Sequence, residues 1–421
     1  MFRKAIAIIL VNIFILNYGF SFSQDILSLE PLVKEAREKN PDILAAKQRW
    51  EASLARVPQA KSPEDPVLGV EFEKIPRGTL KLNKVMPDDR KFSISQMIPF
   101  LGRLPLKGKI ALVESQMAAS EYKNKELEIV NELKNAYYDL FMDYKDIELN
   151  QESLAFLENI ANIAESKYIV GEVTQEELFK INLEIAKLSN DIVNLKQARS
   201  SKQVGINLLL NRDSQSLLGW PQVDEKIAFQ NSLDSLYRLT LENQPELLMF
   251  AYAIERNKHA KDLAKKSFFP DVMAGIVQRG ITSGTIGPWD LMLAFSVPLW
   301  FWTKQRYEIK EAVANLEVAK AAYEAMKNRA LAEIKNLFTK IEIEKTKINL
   351  YKASQIPMLE SSIQSSLTAY ASGGGDIMML LDSQRMLVET KMSYYKAIVE
   401  YNMNLADLEK AVGFELNEVR K

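Results

Sequence analysis

The sequence repeats one ordered set of landmarks at an interval of roughly 200 residues. Pro41 and Pro245 open similar stretches, Asn-Pro-Asp-Ile-Leu and Gln-Pro-Glu-Leu-Leu, and lie 204 positions apart. Three later pairs follow in the same order at offsets of 204, 199 and 202 positions: Pro66 with Pro270, Pro99 with Pro298, and Tyr168 with Tyr370. One such match would carry little weight, but four in order predict a duplicated unit. The repeats are predicted at 24–211 and 232–421, joined by a linker at 212–231.

Each repeat has the pattern helix, strand, strand, long helix, long helix. Alternation of apolar and polar residues predicts four strands, at about 67–74, 91–98, 271–278 and 290–298. Apolar residues spaced 3.5 apart on average predict paired, supercoiled helices, with helical hairpins at about 104–211 and 303–412. A helix of about 60 residues is roughly 90 Å long and needs a partner along its length. The predicted fold class is therefore α+β and mainly α.

Residue types exclude several kinds of chemistry. The chain has no Cys and a single His, His259, which rules out disulfides and Cys nucleophiles and argues against zinc sites and Ser-His-Asp triads. It has 54 basic and 55 acidic residues, so no general attraction to nucleic acid is expected. We therefore predict neither an enzyme nor a cofactor.

The first 23 residues have the pattern of a secretory signal peptide. Arg3 and Lys4 precede an almost wholly apolar run, and Ser21-Phe22-Ser23 resembles a cleavage site. The alternative, an uncleaved membrane anchor, needs a longer apolar run. No later run reaches about 18 apolar residues, so the exported protein is predicted to be periplasmic, secreted or embedded as a β-barrel. Four strands cannot close a barrel, whereas three chains would supply twelve.

Several motifs together resemble one known family. They are the signal peptide, the duplicated unit, the strand end 95–103 (SQMIPFLGR), and the hairpin tips Tyr168–Gly171 and Tyr370–Gly373. In this order they resemble the TolC-type outer-membrane efflux factors over nearly all of the mature chain. Without Cys, the chain departs from those relatives that carry an N-terminal lipid.

The resemblance implies a homotrimeric tube. A twelve-stranded outer-membrane β-barrel would be continued by a long α-helical barrel across the periplasm. The tube would be the exit duct of a tripartite efflux system, with a periplasmic adaptor, an inner-membrane pump and outer-membrane lipid as partners.

The resemblance also implies a gate where the helical hairpins turn. Asp376, Asp382, Glu177 and Tyr370 are the expected aperture residues, and threefold symmetry would repeat each as a ring. The plainer alternative is that Asp376 caps a helix and Asp382 is a solvated residue. In some relatives an Arg holds the tip shut, and Gly375 stands at that position here.

Four glycines mark the predicted tip turns and the surface expected for adaptor docking. They are Gly171 in the first hairpin and Gly373, Gly374 and Gly375 in the second. Glycine accepts positive φ, so the plain interpretation is a tight turn, and the functional one is a hinge for opening.

A third set of residues marks the joins between strands and long helices. Pro99, Gly102 and Arg103 lie at the first join and Pro298 lies at the second, where a proline ends strand pairing. The segment 300–302 (Trp-Phe-Trp) is either an aromatic belt at the periplasmic interface or packing within the tube.

Two other functions compete with the channel. A periplasmic coiled-coil adaptor or scaffold would explain export and hairpins but not the repeated strand pairs. An exported enzyme lacks a set of catalytic residue types at suitable spacing.

Overall fold

The computed structural model describes residues 26–75, 77–78, 81–82, 85–225, 229–280 and 287–416; the predicted signal peptide lies outside these ranges. Most of the described chain is helical. The helices are α1 (Leu29–Lys39), α2 (Pro41–Lys61), α3 (Arg103–Ile169), α4 (Gln175–Leu209), α5 (Leu233–Asn243), α6 (Pro245–Lys266), α7 (Gln305–Leu350), α8 (Ile356–Ala371) and α9 (Ile377–Val412). The strands are β1 (Ile26–Leu27), β2 (Val67–Phe72), β3 (Arg90–Ile98), β4 (Trp220–Pro221), β5 (Asp271–Arg279) and β6 (Trp289–Ser296).

The chain divides into two compact units, each made of three stretches of sequence. The first comprises the described residues within Met1–Asn40, Val130–Phe229 and Thr339–Ala406, and it contains both turns between long helices. The second comprises those within Pro41–Ile129, Gln230–Phe338 and Asp407–Lys421, and it contains strands β2, β3, β5 and β6.

The apolar residues that recur at spacings of three and four form the buried stripes of the long helices. On α3 these are Val130, Leu133, Tyr137, Leu140, Tyr144 and Ile147, all at most 8% exposed. On α7 the buried set includes Ala330, Ile334, Leu337 and Ile341. The periodicity thus places one continuous face of each helix in contact with its neighbours, as in a coiled coil.

A π-helical segment, Tyr351–Gln355, joins α7 to α8. The cause lies in Pro357, in the first turn of α8, which has no backbone N–H to donate to the preceding turn. The chain accommodates the lost hydrogen bond by widening locally without ending the helical path. The predicted hairpin at 303–412 therefore has an interruption in its first arm.

The region predicted as a linker, 212–231, contains one strand of a short parallel pair. Strand β4 pairs with β1 in the register Ile26–Trp220 and Leu27–Pro221. The Tyr137 hydroxyl donates a hydrogen bond to the Leu27 carbonyl oxygen at 2.7 Å, and the same hydroxyl accepts one from the N–H of Gln222 at 2.9 Å. One buried side chain of α3 therefore fixes both strands.

The other four strands form one antiparallel sheet in the order β2-β3-β5-β6. Consecutive pairs are in regular register, for example Leu68 opposite Ile94, Ile94 opposite Ile276, and Ile276 opposite Leu291. Strands β2 and β6 are the two edges of this sheet. Compared with the predicted ranges, β2 ends at Phe72 and β6 ends at Ser296.

One face of this sheet is apolar and open to solvent. Side chains alternate between the two faces of a strand, so every second residue shares the apolar face. Its exposed members are Leu68, Val70, Phe92, Ile94, Ile98, Ile276, Trp289, Leu291, Leu293 and Phe295, which are between 42% and 77% exposed. The opposite face carries small and polar residues such as Ser93, Ser95, Gly275 and Asp290. A soluble monomer rarely leaves so large an apolar face uncovered.

Within the described ranges, the helices contain no apolar stretch long enough to cross a membrane.

Tyr137→Phe is expected to lower the free energy of unfolding by about 1 kcal/mol, because the Leu27 carbonyl loses its donor and the N–H of Gln222 loses its acceptor. Denaturant unfolding of the detergent-solubilised protein measures the change. Tyr168→Phe, at a tyrosine 44% exposed, is the matched control and should have little effect. Equal destabilisation by the two changes would contradict the anchoring role of Tyr137.

Candidate functional site

The first helical tip is a glycine turn followed by a capped helix. Gly171 adopts a φ of 80°, and its N–H donates to the Tyr168 carbonyl at 3.0 Å. Thr174 then caps α4, because its hydroxyl oxygen accepts the N–H of Glu177 at 3.3 Å. The same hydroxyl donates to the Glu177 carboxylate at 3.1 Å, so this predicted aperture residue is part of a helix cap.

The second tip contains three consecutive glycines with different roles. Gly373 has a φ of 86°, a conformation that favours glycine. A Cβ on Gly375 would lie 2.6 Å from the Tyr370 backbone nitrogen, so this position has no room for a side chain. At Gly374 the nearest atom would be 4.0 Å away, and its φ is not in the left-handed region. The structure therefore requires glycine at 373 and 375 but not at 374.

Asp376 and Asp382 have different surroundings. Asp376 precedes α9, and its Oδ1 accepts the N–H of Met378 at 2.9 Å, which is the geometry of an N-cap. Its other carboxylate oxygen takes no part in that bond. Asp382 lies six residues further along, within α9; its side chain is 61% exposed, and the Arg385 guanidinium is 3.7 Å from its carboxylate.

Tyr370 is buried at the second tip and is 3% exposed. Among the described residues its hydroxyl has no hydrogen-bond partner. Burial raises the pKa of Tyr370, and the nearby negative charge of Glu177 raises it further. The Nζ of Lys167 lies 5.5 Å from the centre of the Tyr370 ring and 3.2 Å from the Glu172 carboxylate. The two tips thus meet around Tyr370, with Lys167 as a contact that the sequence did not predict.

An apolar cluster of buried side chains lies next to the two tips, on the helices that lead into and out of them. It draws residues from the two arms of both hairpins, namely Leu157, Ile160, Ala164, Ile181, Ile363, Tyr370, Ile377, Leu380 and Leu381. Tyr370 belongs to this cluster, so any movement of the second tip disturbs packed side chains and not only the surface turn.

The residues predicted at the strand–helix joins belong to two joins in the second unit, one after β3 and one after β6. Gly102 has a φ of 91°, which turns the chain from β3 into α3. Arg103 pairs with the carboxylate of Asp271, the first residue of β5. Asp271 also accepts the N–H of Phe100 at 2.7 Å. Asp271 therefore ties the first join to the neighbouring strand. In the sequence, only the residue before it, Pro270, is one of the repeated landmarks.

The second join carries Pro298 and the aromatic segment that follows it. Pro298 lies two residues beyond the end of β6, and Trp300, Phe301 and Trp302 are 67%, 48% and 51% exposed. The backbone N–H of Lys304 donates to the Trp300 carbonyl at 2.8 Å and holds the segment in a turn. The three aromatic rings are thus presented at the surface of the second unit.

A pair of acids on α3, one buried and one half-buried, was missing from the sequence-based predictions. Asp143 is 7% exposed and forms an ion pair with Lys202, whose Nζ lies 2.7 Å from the Asp143 Oδ1. Burial, with the adjacent charge of Asp143, raises the pKa of Asp146 to about 6, against the opposing effect of Lys202. The only signal in the sequence was two acids, three positions apart, flanking the apolar positions Tyr144 and Ile147.

Long paired helices joined to a small antiparallel sheet with one exposed apolar face form the fold of outer-membrane channels. The CmeC outer membrane channel of Campylobacter jejuni has this fold, with a TM-score of 0.78 and 16% identity. The similarity covers 92% of this chain and 86% of CmeC.

The chain belongs to the outer membrane efflux protein family, whose model matches residues 32–212 and 236–414. It is 19% identical to Nodulation protein T of Rhizobium leguminosarum bv. trifolii, over 93% of this chain and 87% of that protein. It is 20% identical to the probable outer membrane lipoprotein SilC of Salmonella typhimurium, over 91% of this chain and 85% of SilC.

Family membership confirms several of the predictions. The protein is located in the outer membrane, with a helical extension in the periplasm, and it is a channel and not an enzyme. The family works in tripartite systems with an adaptor and an inner-membrane pump. The alternative of an adaptor or scaffold without a membrane part is not favoured.

Gly375→Ala is expected to distort the second tip, because the new Cβ would collide with the backbone of Tyr370. Limited proteolysis should then cleave the tip faster than in the unaltered protein. Gly374→Ala is the matched control and should leave the rate unchanged, since that position has room. Unchanged cleavage of the Gly375 variant would contradict the steric requirement.

Asp146→Asn is expected to stabilise the protein at pH 7 by about 1 kcal/mol, a value discounted for partial exposure. The folded-state pKa of Asp146, about 6, lies above an unfolded value of about 3.9. Between these two pH values the folded state therefore binds more protons than the unfolded state. Wild-type stability should therefore fall as pH rises from 4 to 6, and the gain in the variant should vanish at pH 4.

Thermal unfolding across this pH range measures the effect of the Asp146 change. Asp191→Asn, at an exposed position of α4, is the control. A gain at Asp146 that does not depend on pH would contradict the assigned cause.

Proposed function

We propose that this chain is one subunit of a homotrimeric exit duct that passively conducts substrates from an inner-membrane pump and a periplasmic adaptor to the cell exterior. The observation that carries the proposal is the four-stranded sheet with an exposed apolar face and two open edges. Hydrocarbon suits the apolar face, but unpaired strand edges are costly there, so one copy of the sheet is not stable in a membrane on its own.

Three copies would satisfy both requirements. Twelve strands are enough to close a barrel in which β6 of one copy pairs with β2 of the next, leaving no edge. The apolar face, including Leu68 and Leu291, would then face lipid, and the face with Ser93 and Ser95 would line the lumen. Outer-membrane lipid is the partner of the outer face.

The long helical hairpins would continue the duct through the periplasm. Their buried stripes pack helix on helix, and their polar faces suit water on both sides of a tube wall. The repeats at 24–211 and 232–421 would each supply one hairpin to that wall. Thr174 and Asp376, both helix caps, lie 202 positions apart, which supports the duplication.

The gate would lie at the tips, where the acidic residues would form rings of like charge. Asp382 is the best-placed member because its carboxylate is largely exposed. Asp376 would contribute as well, since capping α9 uses one carboxylate oxygen and does not remove the charge. Glu177 and Tyr370 would hold the two tips together. Such rings favour cations at a constriction.

The adaptor would dock on the outer surface of the tip turns, formed by Gly171 and Gly373–Gly375. Ile169 and Val170 beside the first turn are 78% and 69% exposed, which offers apolar contact area to a partner.

Replacing Asp376 and Asp382 together by Asn is expected to reduce cation selectivity at least about twofold, because the aperture loses its rings of charge. Asn retains the helix cap, so the loss of charge is separated from a loss of structure. The reversal potential of single channels in a salt gradient across a planar bilayer measures the change.

Glu38→Gln, at an exposed acid on α1, is the control for charge removed away from the tips. An unchanged reversal potential in intact trimers of the Asp376 and Asp382 variant would contradict the aperture role. Recovery of the unaltered protein as a monomer without bilayer conductance would overturn the proposed function itself.

A further inference from the structure

Four joins between the sheet and the helices lie at one end of the sheet. The register puts the start of β2, the end of β3, the start of β5 and the end of β6 at that end. Exposed aromatic residues gather at these joins, and we call them the aromatic collar: Phe268, Phe269, Trp300, Phe301 and Trp302. The apolar face of the sheet leads toward the collar through Phe295 and Val297, which are 60% and 63% exposed.

Basic residues follow the aromatic collar into the first turns of the two long helices. These residues, the basic collar, are exposed and form no ion pair with any described residue: Lys107, Lys109, Lys304, Arg306 and Lys310. At 1.5 Å per residue, all five begin within about 10 Å of the first residue of their helix. The aromatic and basic collars therefore bring apolar rings and exposed cations together over a short distance along the protein.

These cations lie at the N-terminal ends of two helices, where positive charge is electrostatically unfavourable. The N-terminus of a helix carries partial positive charge, which favours acidic residues in the first turn. Helix α3 has no acidic residue in its first turn, and residues 99–113 contain three cations and no acid; of the three, Arg103 is paired with Asp271, which leaves Lys107 and Lys109. In the first turn of α7, Arg306 precedes the one acid of that turn, Glu308. Anions supplied from outside the chain would compensate this excess of positive charge.

Lysine side chains at the joins already contact aromatic rings. The Nζ of Lys266 lies 5.5 Å from the centre of the Phe100 ring and 5.7 Å from that of Phe269. The Nζ of Lys310 lies 4.9 Å from the centre of the Tyr307 ring. Side chains of this kind bury an apolar body and keep the charge at a polar boundary.

We propose that the two collars bind the phosphate headgroups of anionic phospholipids in the periplasmic leaflet of the outer membrane. The aromatic rings would lie at the level of the acyl-chain boundary, and the basic collar would face the headgroups. Lysine and arginine both bind phosphate oxygens through charge-assisted hydrogen bonds. This inference rests on the proposed membrane location of the sheet.

Tryptophan fluorescence in bilayers of defined composition tests the inference on the full chain. Trp50, Trp220 and Trp289 are replaced by Phe, so that the tryptophan fluorescence comes from Trp300 and Trp302 of the aromatic collar. The protein is reconstituted in equimolar phosphatidylcholine and phosphatidylglycerol, with bromine on only one of the two lipids. The ratio of the two quenching signals gives the preference for the anionic lipid.

We expect the brominated phosphatidylglycerol to be enriched beside the collar by about fivefold or more at low salt. Lys304→Gln with Arg306→Gln should bring that ratio close to one, and Lys107→Gln with Lys109→Gln should lower it independently. The matched control is Arg329→Gln with Lys340→Gln, two exposed cations further along α7, which should keep the full ratio.

Three results would overturn the inference in different ways. Equal quenching by both lipids in a conducting trimer would reject headgroup selection and leave the proposed channel intact. The absence of quenching by either lipid would show that the aromatic collar lies outside the bilayer, and it would contradict the proposed function as well. A loss of preference equal in the control variant would show that net charge, and not the collar, is responsible.

Discussion

The structure depends on one constraint: backbone hydrogen-bonding groups at the edge of a sheet need partners. In the second unit, β2 and β6 each leave one side of the strand unpaired, beside a face of exposed apolar side chains. Water satisfies such an edge but not such a face, and hydrocarbon satisfies the face but not the edge. Pairing of β6 in one copy with β2 in another meets both demands. The proposed duct follows from this constraint, because the edges can be eliminated only when the strands close on themselves.

Much of this architecture could be predicted from local sequence patterns. The alternation around Leu68 and Ile94 predicted strands, because side-chain direction in a strand has a period of two. The stripe from Leu133 to Ile147 predicted long paired helices for the corresponding reason. The glycines at 373 and 375 were singled out as turn residues, and the structure adds the separate reason for each, a positive φ and a close backbone approach.

Features that depend on contacts between distant segments could not be predicted. Strand β4 pairs with β1 across almost 200 residues of sequence, and two residues carry too little pattern to reveal a strand. Tyr168 and Tyr370 occupy equivalent positions in the repeats, yet one is 44% exposed and the other 3%. Their difference comes from Lys167 and the apolar cluster around Tyr370, which only the packed structure reveals. The raised pKa of Asp146 likewise arises from burial beside Asp143.

The pairing of β6 with β2 of another copy is the central claim, and cross-linking tests it most directly. Because the chain contains no Cys, any disulfide formed in a double variant comes from the introduced pair. Val67→Cys on β2 is combined in turn with Asp290→Cys, Met292→Cys or Ala294→Cys on β6, and the protein is oxidised in the membrane. The account predicts that at least one combination yields a covalent species of three chains and nothing larger. Monomers alone in every combination, or an open ladder extending beyond three chains, would contradict it.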